Sequence, residues 1–240
     1  MRYDPERHHR RSIRLRGYDY RAVGAYFITI VAQDRACLFG EVVDGEMRLS
    51  EAGRMVERWW LELNCRFPHV LTDAYVVMPN HFHGIVVIHS PPPGATTIPD
   101  ATDTHDGGAH AGGGAHAGGG AHTGAPLQGA GGAHGTHAVG ADLRVCPDSG
   151  GAHTGAPLPT IVQWFKTMTT NEYIRMVKHA GWTPFRGRLW QRNYYEHIIR
   201  NERALERIRN YILTNPLHWH LDRENTNAVG VNPLEKEWFT

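Results

Sequence analysis

Apolar and polar residues follow one another along this chain in patterns that predict both strands and helices. Short apolar runs bounded by turn residues are typical of strands, whereas apolar residues spaced three and four positions apart predict amphipathic helices. Asp44 and Gly45, between two such runs, form a standard hairpin signal. The predicted elements are strands at 26–31, 37–43, 46–49, 75–78, 85–88 and 194–199, and helices that begin after Ser50, Thr160 and Asn201.

The apolar pattern disappears between Pro91 and Pro159. Gly-Gly-Ala-His recurs there, Gly-Ala-Pro-Leu occurs at 124–127 and again at 155–158, and aromatic residues are missing. A segment of this composition cannot bury enough surface to offset its chain entropy, so we predict that residues 91–159 are a disordered, low-complexity insertion. Closing so long a loop costs only roughly 2.5 kcal/mol more than closing a short one, so the fold can tolerate it.

The order of the remaining elements predicts the fold class. With the hairpin set aside, the order is β-α-β-β-α-β-α, which fits an α+β fold of the ferredoxin type, with an antiparallel sheet and helices on one face. Residues 1–90 and 160–240 are therefore predicted to form a single domain, interrupted by the insertion.

The positions of the charged residues along the chain are more informative than the net charge. The formal net charge is only +1, but seven arginines lie between residues 1 and 22, and a second group surrounds 186–209. Such clusters suit a polyanion, because the planar guanidinium can donate two hydrogen bonds to a phosphate; a solvated, partly salt-bridged surface is the alternative. No apolar run approaches the length of a membrane span, and the N-terminus lacks an apolar signal core, which favours a cytoplasmic location without membrane contact.

The first candidate site residues are His81 and His83. Side chains on a strand alternate between its two faces, so both imidazoles project from one face and Phe82 from the other. Two imidazoles fixed side by side suit a divalent metal ion. Two surface histidines that flank a core phenylalanine are the alternative, and the pair by itself does not decide between them.

Tyr211 and Asn215 form the second candidate set. They stand four residues apart in the last predicted helix, so they are neighbours on one face. Asn offers a carbonyl oxygen, and a tyrosine hydroxyl becomes a nucleophile when it is deprotonated. Two histidine nitrogens and one amide oxygen would hold Mg²⁺ or Mn²⁺ and leave positions for a phosphate. A helix that ends at Asn-Pro, with Tyr211 packed on the sheet, is the structural alternative.

Three ordered motifs carry a resemblance to a known family. They are MPNHFHG at 78–84, LWQRNYYEHIIRN at 189–201 and YILTNP at 211–216, and RSIRLRGYDY at 11–20 and LFGE at 38–41 add to them. Together they resemble the single-tyrosine HUH transposases, and most of all the REP-associated tyrosine transposases, which act on repetitive extragenic palindromes. The resemblance covers nearly everything outside 91–159.

The resemblance implies an activity, a cofactor and a partner. It implies an HUH endonuclease fold in which His81 and His83 bind a divalent metal, Mg²⁺ or Mn²⁺, Tyr211 is the nucleophile and Asn215 is a supporting ligand. It implies cleavage and strand transfer of single-stranded DNA at a palindromic hairpin through a 5′-phosphotyrosine link. The residues expected to contact DNA are Arg10, Arg11, Arg14, Arg16, Arg188, Trp190 and Arg192, with Trp190 as an exposed aromatic that stacks on unpaired bases.

Several alternatives stay open at this point. Tyr194 and Tyr195 are rival nucleophiles, although neither has a polar partner at helical spacing. The chain could also be a hairpin-DNA-binding protein that has lost catalysis, or a metal-dependent hydrolase without a covalent step. Both a monomer and a homodimer are compatible with the sequence.

Overall fold

A computed structural model describes residues 17–90 and 155–234 of the chain. Within these residues the strands are β1 (Gly24–Val31), β2 (Gly40–Val43), β3 (Glu46–Leu49), β4 (Val70–Val77), β5 (His81–Ile88) and β6 (Tyr195–Ile199). The helices are α1 (Glu51–Leu61), α2 (Leu63–Arg66), α3 (Leu158–Ala180) and α4 (Glu202–Thr214), with 3-10 turns at Gln33–Arg35 and Pro216–Leu221.

Four of the strands form one antiparallel sheet in the order β4-β5-β1-β6. β1 and β5 lie at its centre, and Val31 at the end of β1 pairs with His81 at the start of β5. β2 and β3 form a separate hairpin, whose turn places Asp44 and Gly45 at positive φ, as its sequence predicts. The predicted antiparallel sheet of the ferredoxin type is confirmed.

Helices cover both faces of the sheet. Ile28 and Phe82 point to one face and pack with Trp60 of α1 and Phe165 of α3. The alternate residues of the same strands, Phe27 among them, point to the other face, where α4 packs. The prediction of helices on one face therefore holds for α1 and α3 and is wrong for α4. The physical reason is that the central strands are apolar on both faces, so each face has to be shielded from water.

The helix starts follow local capping chemistry. Ser50 accepts the Gly53 N–H at 3.1 Å and begins α1, and Asn201 accepts the Ala204 N–H at 2.8 Å and begins α4, both as predicted. The sequence predicted that α3 begins after Thr160, whereas it begins at Leu158. Proline is well accommodated in a first helical turn, because the N–H it lacks has no partner there.

The last residues of the predicted insertion belong to the folded domain. Leu158 is buried and donates its backbone N–H to the Tyr20 carbonyl at 3.0 Å. Residues 91–154 lie outside the described part of the chain. Among the described residues, no helix combines the length and the apolar character that crossing a bilayer requires.

His69 joins the two chain ends that flank residues 91–154. Its carbonyl accepts the His89 N–H at 2.9 Å, and its ring nitrogens contact the Ala156 carbonyl at 3.1 Å and the Gly155 N–H at 3.4 Å. Both ends therefore meet on one buried residue, His69, through its carbonyl and its ring, and a short connection can span them.

Replacing residues 91–154 with a short Gly-Ser linker is expected to preserve folding. Because the closed loop becomes shorter, the free energy of unfolding should stay the same or rise by up to about 2 kcal/mol. Chemical denaturation of the full-length and shortened chains measures this difference, and the Gly-Ser linker can be varied in length as the control. A shortened chain that is insoluble or less stable at every linker length would contradict the prediction that the insertion is dispensable.

Candidate metal centre

His81 and His83 lie side by side on β5, on the face opposite Phe82. The ring centroids of Phe82 and Trp60 are 4.6 Å apart. A Cβ atom on Gly84 would lie 2.6 Å from the same tryptophan, so only glycine fits there. These contacts determine which face of β5 points to the core around Trp60. On the other face, the Nε2 atoms of the two histidines lie 3.0 Å apart, and both side chains are almost fully buried. The structure thus brings together the pair that strand alternation predicts.

Neighbouring polar groups orient both imidazoles through their other ring nitrogen. His81 Nδ1 lies 2.9 Å from Asn80 Oδ1. His83 Nδ1 lies 2.8 Å from the hydroxyl of Thr29, the residue on β1 that pairs with His83. Metal-binding histidines typically use one nitrogen for the ion and the other for such a partner. The Nε2 atoms are therefore the ones that face a common point.

Asp222 supplies a third group that sequence reasoning missed. Its carboxylate is buried, and Oδ2 lies 3.7 Å from His81 Nε2 without a hydrogen-bond partner among the described residues. The other oxygen, Oδ1, accepts the Glu224 N–H at 2.7 Å. One ligand atom from each of His81, His83 and Asp222 lies within 4.8 Å of the others. This buried group can hold a metal ion.

The donor set fits a divalent cation. Two imidazole nitrogens and one carboxylate oxygen are ordinary ligands for such ions, and a buried carboxylate oxygen without a partner is costly unless a cation is near it. Two neighbouring ligands of an octahedral ion at about 2.1 Å are roughly 3.0 Å apart, which matches the separation of the two Nε2 atoms.

Burial favours the neutral form of both histidines. It lowers the pKa of His83 well below its usual value, and the nearby His81 lowers it further. Burial also lowers the pKa of His81, although the Asp222 and Glu224 carboxylates act in the opposite direction. Metals bind the neutral imidazole, so at neutral pH the pair can take up an ion without first losing a proton.

Tyr211 reaches this cluster from α4. Its hydroxyl lies 3.3 Å from His83 Nε2, its ring packs 6.0 Å from that of Phe27, and the side chain is 4% exposed. Arg209 fixes the helix by donating to both carboxylate oxygens of Asp73 on β4, at 3.0 and 2.6 Å. Tyr211 therefore packs on the sheet and also places its hydroxyl beside His83.

Asn215 ends the same helix, one turn beyond Tyr211. It is completely buried, and neither its amide nitrogen nor its amide oxygen has a hydrogen-bond partner among the described residues. Buried amides without partners are rare in folded proteins and call for an explanation. A ligand or an ion next to this amide would provide one.

Of the rival tyrosines, Tyr195 points toward the same side of the sheet as the histidines. It pairs with Thr29 on β1, its ring lies 6.4 Å from that of Phe27, and the Arg223 guanidinium lies 5.9 Å above it. Burial raises the pKa of its hydroxyl, although Arg223 partly opposes the shift. The adjacent Tyr194 immediately precedes β6. The tyrosine hydroxyl that lies 3.3 Å from His83 Nε2 is that of Tyr211.

The predicted DNA-contacting residues fall into three groups. Arg188 and Arg192 are exposed, and neither forms an ion pair with any described residue. Their loop crosses the end of β1, where Gln191 donates its backbone N–H to the Val31 carbonyl at 2.9 Å. Since Val31 pairs with His81, these arginines lie at the histidine end of the sheet. The predicted arginines outside the described residues are Arg10, Arg11, Arg14 and Arg16.

Trp190 does not lie on the surface. It is 3% exposed, its ring packs 4.9 Å from that of Phe39, and its indole N–H donates to the Thr169 hydroxyl at 2.8 Å. The prediction that Trp190 is an exposed platform for unpaired bases is therefore wrong. Its side chain instead anchors the loop that carries Arg188 and Arg192 in the core. This role explains why a large apolar residue stands between the two arginines.

Comparisons with known proteins include a relative and a similar solved structure. A Haemophilus influenzae protein described as uncharacterized is 32% identical over 225 residues, which is 92% of this chain and 96% of that protein. The solved structure, titled "Structure of the REP associates tyrosine transposase bound to a REP hairpin", has a TM-score of 0.42 and 15% identity, over 87% of this chain and 74% of that chain. No family model matches the chain. The function of this chain therefore has to be argued from its own residues.

Proposed function

The chain belongs to the same family as the uncharacterized Haemophilus influenzae protein, and we propose that it is a metal-dependent transposase that cuts and joins single-stranded DNA. In our proposal it is a REP-associated tyrosine transposase of the HUH type, with Tyr211 as its nucleophile. The observation that carries the proposal is the position of the Tyr211 hydroxyl, 3.3 Å from His83 Nε2 in the buried cluster with His81 and Asp222. A phenol, two imidazoles and a carboxylate at one point suit attack on a phosphodiester.

His81, His83 and Asp222 together hold the ion. The Asn215 amide is a supporting ligand of the ion or contacts the phosphate. When bound, a divalent ion neutralises charge on the phosphate oxygens as the attack develops. Imidazole ligands favour Mn²⁺, whereas cellular abundance favours Mg²⁺.

Tyr211 carries out the covalent step. Its oxygen forms a bond to phosphorus, the bond from phosphorus to the 3′ oxygen breaks, and the DNA 5′ end becomes a phosphotyrosine. The proton that the phenol loses appears in net terms on the 3′-hydroxyl that leaves, so the step is balanced without a nucleotide cofactor. Attack on the phosphotyrosine by this 3′-hydroxyl, or by one from another strand, reverses the step and joins DNA.

The proposed substrate is a palindromic DNA hairpin with a single-stranded extension. Arg188 and Arg192 are exposed at the histidine end of the sheet, where they can hold phosphates next to the cluster. We propose the same task for the arginines between residues 10 and 16. The enclosed position of Tyr211 suits an unpaired, flexible strand, because a duplex is too wide to reach a buried hydroxyl.

A catalytically decayed hairpin-binding protein is the second candidate function. It would keep the basic surface without needing the cluster, whereas here His83 contacts both His81 and Tyr211. A cleavage assay separates the two. With Mn²⁺ and an oligonucleotide that carries a palindrome from the DNA beside the gene, a transposase gives a shorter strand and a protein-linked strand, and a decayed protein gives only a complex.

Replacing Arg188 and Arg192 with alanine is expected to weaken hairpin binding by about tenfold for each lost phosphate contact, or about 1.4 kcal/mol. The dependence of the binding constant on salt should also fall, by roughly one unit of slope per contact. Titrations of a labelled hairpin at several salt concentrations measure both quantities. Arg200→Ala is the matched control, because Arg200 is exposed beyond Ile199, at the opposite end of the sheet. Equal losses at both ends would contradict a DNA path across the arginine-bearing loop.

A further inference from the structure

Asn80 is a fully buried amide that lies directly before β5. It touches neither Tyr211 nor the Nε2 atoms of the histidines, so the reaction described above does not use it. Its three hydrogen bonds nevertheless join the two sides of the metal cluster. One goes to His81, and the other two go to carbonyls of separate loops.

The partners of Asn80 leave only one orientation for its amide. One end lies 2.8 Å from the Glu224 carbonyl and 3.2 Å from the Arg35 carbonyl. Carbonyl oxygens only accept, so this end must be the donating Nδ2 group. The end that faces His81 Nδ1 at 2.9 Å must then be Oδ1, which only accepts. His81 Nδ1 therefore carries the proton, and the lone pair of the ring lies on Nε2.

The Nδ1 atom of His83 has no equivalent constraint. It contacts the Thr29 hydroxyl, and a hydroxyl can donate or accept, so this contact is compatible with either tautomer. The Nε2 atom of His83 lies 3.0 Å from that of His81, and without a metal it must donate to the lone pair there. His81 is therefore the histidine whose ligand atom is free of its proton in advance.

The same amide also holds the segment that carries Asp222. Asn80 donates to the carbonyl of Glu224, whose N–H in turn donates to Asp222 Oδ1 at 2.7 Å. The Glu224 carboxylate is buried and accepts from Arg35 at 2.9 Å and from Arg223 at 3.0 Å. The loop of Arg35, the segment at 222–224 and His81 thus all depend on one side chain.

We propose that Asn80 is the positioning residue of this centre, which fixes His81 as the Nδ1–H tautomer and holds Asp222 beside it. The proposal rests on the proposed function in one respect, namely that His81 and Asp222 bind the ion. It assigns to Asn80 no contact with the ion or with DNA. Partners of this kind commonly change metal affinity by about 10-fold to 100-fold.

Two variants separate the tasks of the amide. Asn80→Asp keeps an oxygen acceptor for His81 and loses the donor to the two carbonyls, whereas Asn80→Ala loses both. If Asn80 both fixes His81 and holds Asp222, Mn²⁺ affinity measured by calorimetry should fall by about 10-fold to 100-fold in Asn80→Ala and by a smaller factor in Asn80→Asp, which keeps the bond to His81. Wild-type affinity in Asn80→Ala, or an equal loss in both variants, would overturn the proposal, because the bond to His81 would then contribute nothing.

The wild-type protein gives a second test that needs no variant to fold. In the metal-free protein labelled with ¹⁵N, the ring-nitrogen shifts of His81 should report a proton on Nδ1 and none on Nε2. A His81 ring with its proton on Nε2 would overturn the proposal whatever the variants do. Neither experiment uses DNA, so normal Mn²⁺ binding and the expected tautomer in a protein that cuts no DNA would refute the proposed function and leave the task of Asn80 intact.

Discussion

Asp222→Asn is expected to lower Mn²⁺ affinity at least about a hundredfold and to reduce DNA cleavage by roughly a thousandfold, or about 4 kcal/mol of transition-state stabilisation. The substitution keeps the shape of the side chain and removes its charge. His81 and His83 are neutral ligands, so Asp222 is the one negative charge among the three groups, and the ion loses most of its electrostatic attraction without it.

Stability should move in the opposite direction. Without metal, the Asp222 carboxylate is a buried charge whose Oδ2 has no hydrogen-bond partner among the described residues, so its neutral isostere should unfold at the same or a higher temperature. Asp44→Asn is the matched control, because Asp44 is exposed at a positive φ that asparagine also adopts. Calorimetry with Mn²⁺, thermal unfolding and a cleavage assay measure the three quantities. Full Mn²⁺ affinity in Asp222→Asn would contradict the assignment of this carboxylate as a ligand.

Tyr211→Phe is expected to abolish the protein–DNA adduct and to slow cleavage at least about a thousandfold. The change removes only the attacking oxygen and keeps the ring that packs against Phe27. Folding stability should therefore change by no more than about 1 kcal/mol, and the affinity for Mn²⁺ and for the hairpin should stay close to that of the wild type.

Tyr195→Phe is the control for Tyr211→Phe, since Tyr195 lies on the same side of the sheet and also packs against Phe27. It should keep the adduct. Denaturing gels with an end-labelled oligonucleotide show adduct and cleavage together. Cleavage that persists in Tyr211→Phe without any adduct would mean that a metal-activated water attacks, and the protein would then be a hydrolase.

The parts of the site that the sequence predicts depend on short-range geometry. Strand alternation placed His81 and His83 on one face, because pleating fixes side-chain direction over neighbouring residues. Helical spacing likewise made Tyr211 and Asn215 neighbours. Ser50 and Asn201 marked two helix starts, because a cap needs only the next three residues.

The parts that the sequence does not predict depend on contacts between distant segments. Asp222 follows a 3-10 turn in no periodic pattern, and only tertiary packing brings it to His81. The exposure of Trp190 was misjudged because the polar residues around it belong to a loop in which Leu189 and Trp190 point inward. Strand alternation placed His83 on the face opposite Phe82. Tyr211 can meet His83 only on that face, and α4, which carries Tyr211, therefore packs there.

The central claim is that Tyr211 becomes covalently joined to DNA, and peptide mapping of the adduct tests it most directly. The wild-type protein would be incubated with Mn²⁺ and a single-stranded oligonucleotide that carries its palindrome, then digested with protease and nuclease and analysed by mass spectrometry. We expect a 5′-linked nucleotide on the peptide that contains Tyr211 and on no other. A nucleotide on Tyr194 or Tyr195 would contradict the assignment of the nucleophile, and cleaved DNA without any modified peptide would contradict the transposase mechanism.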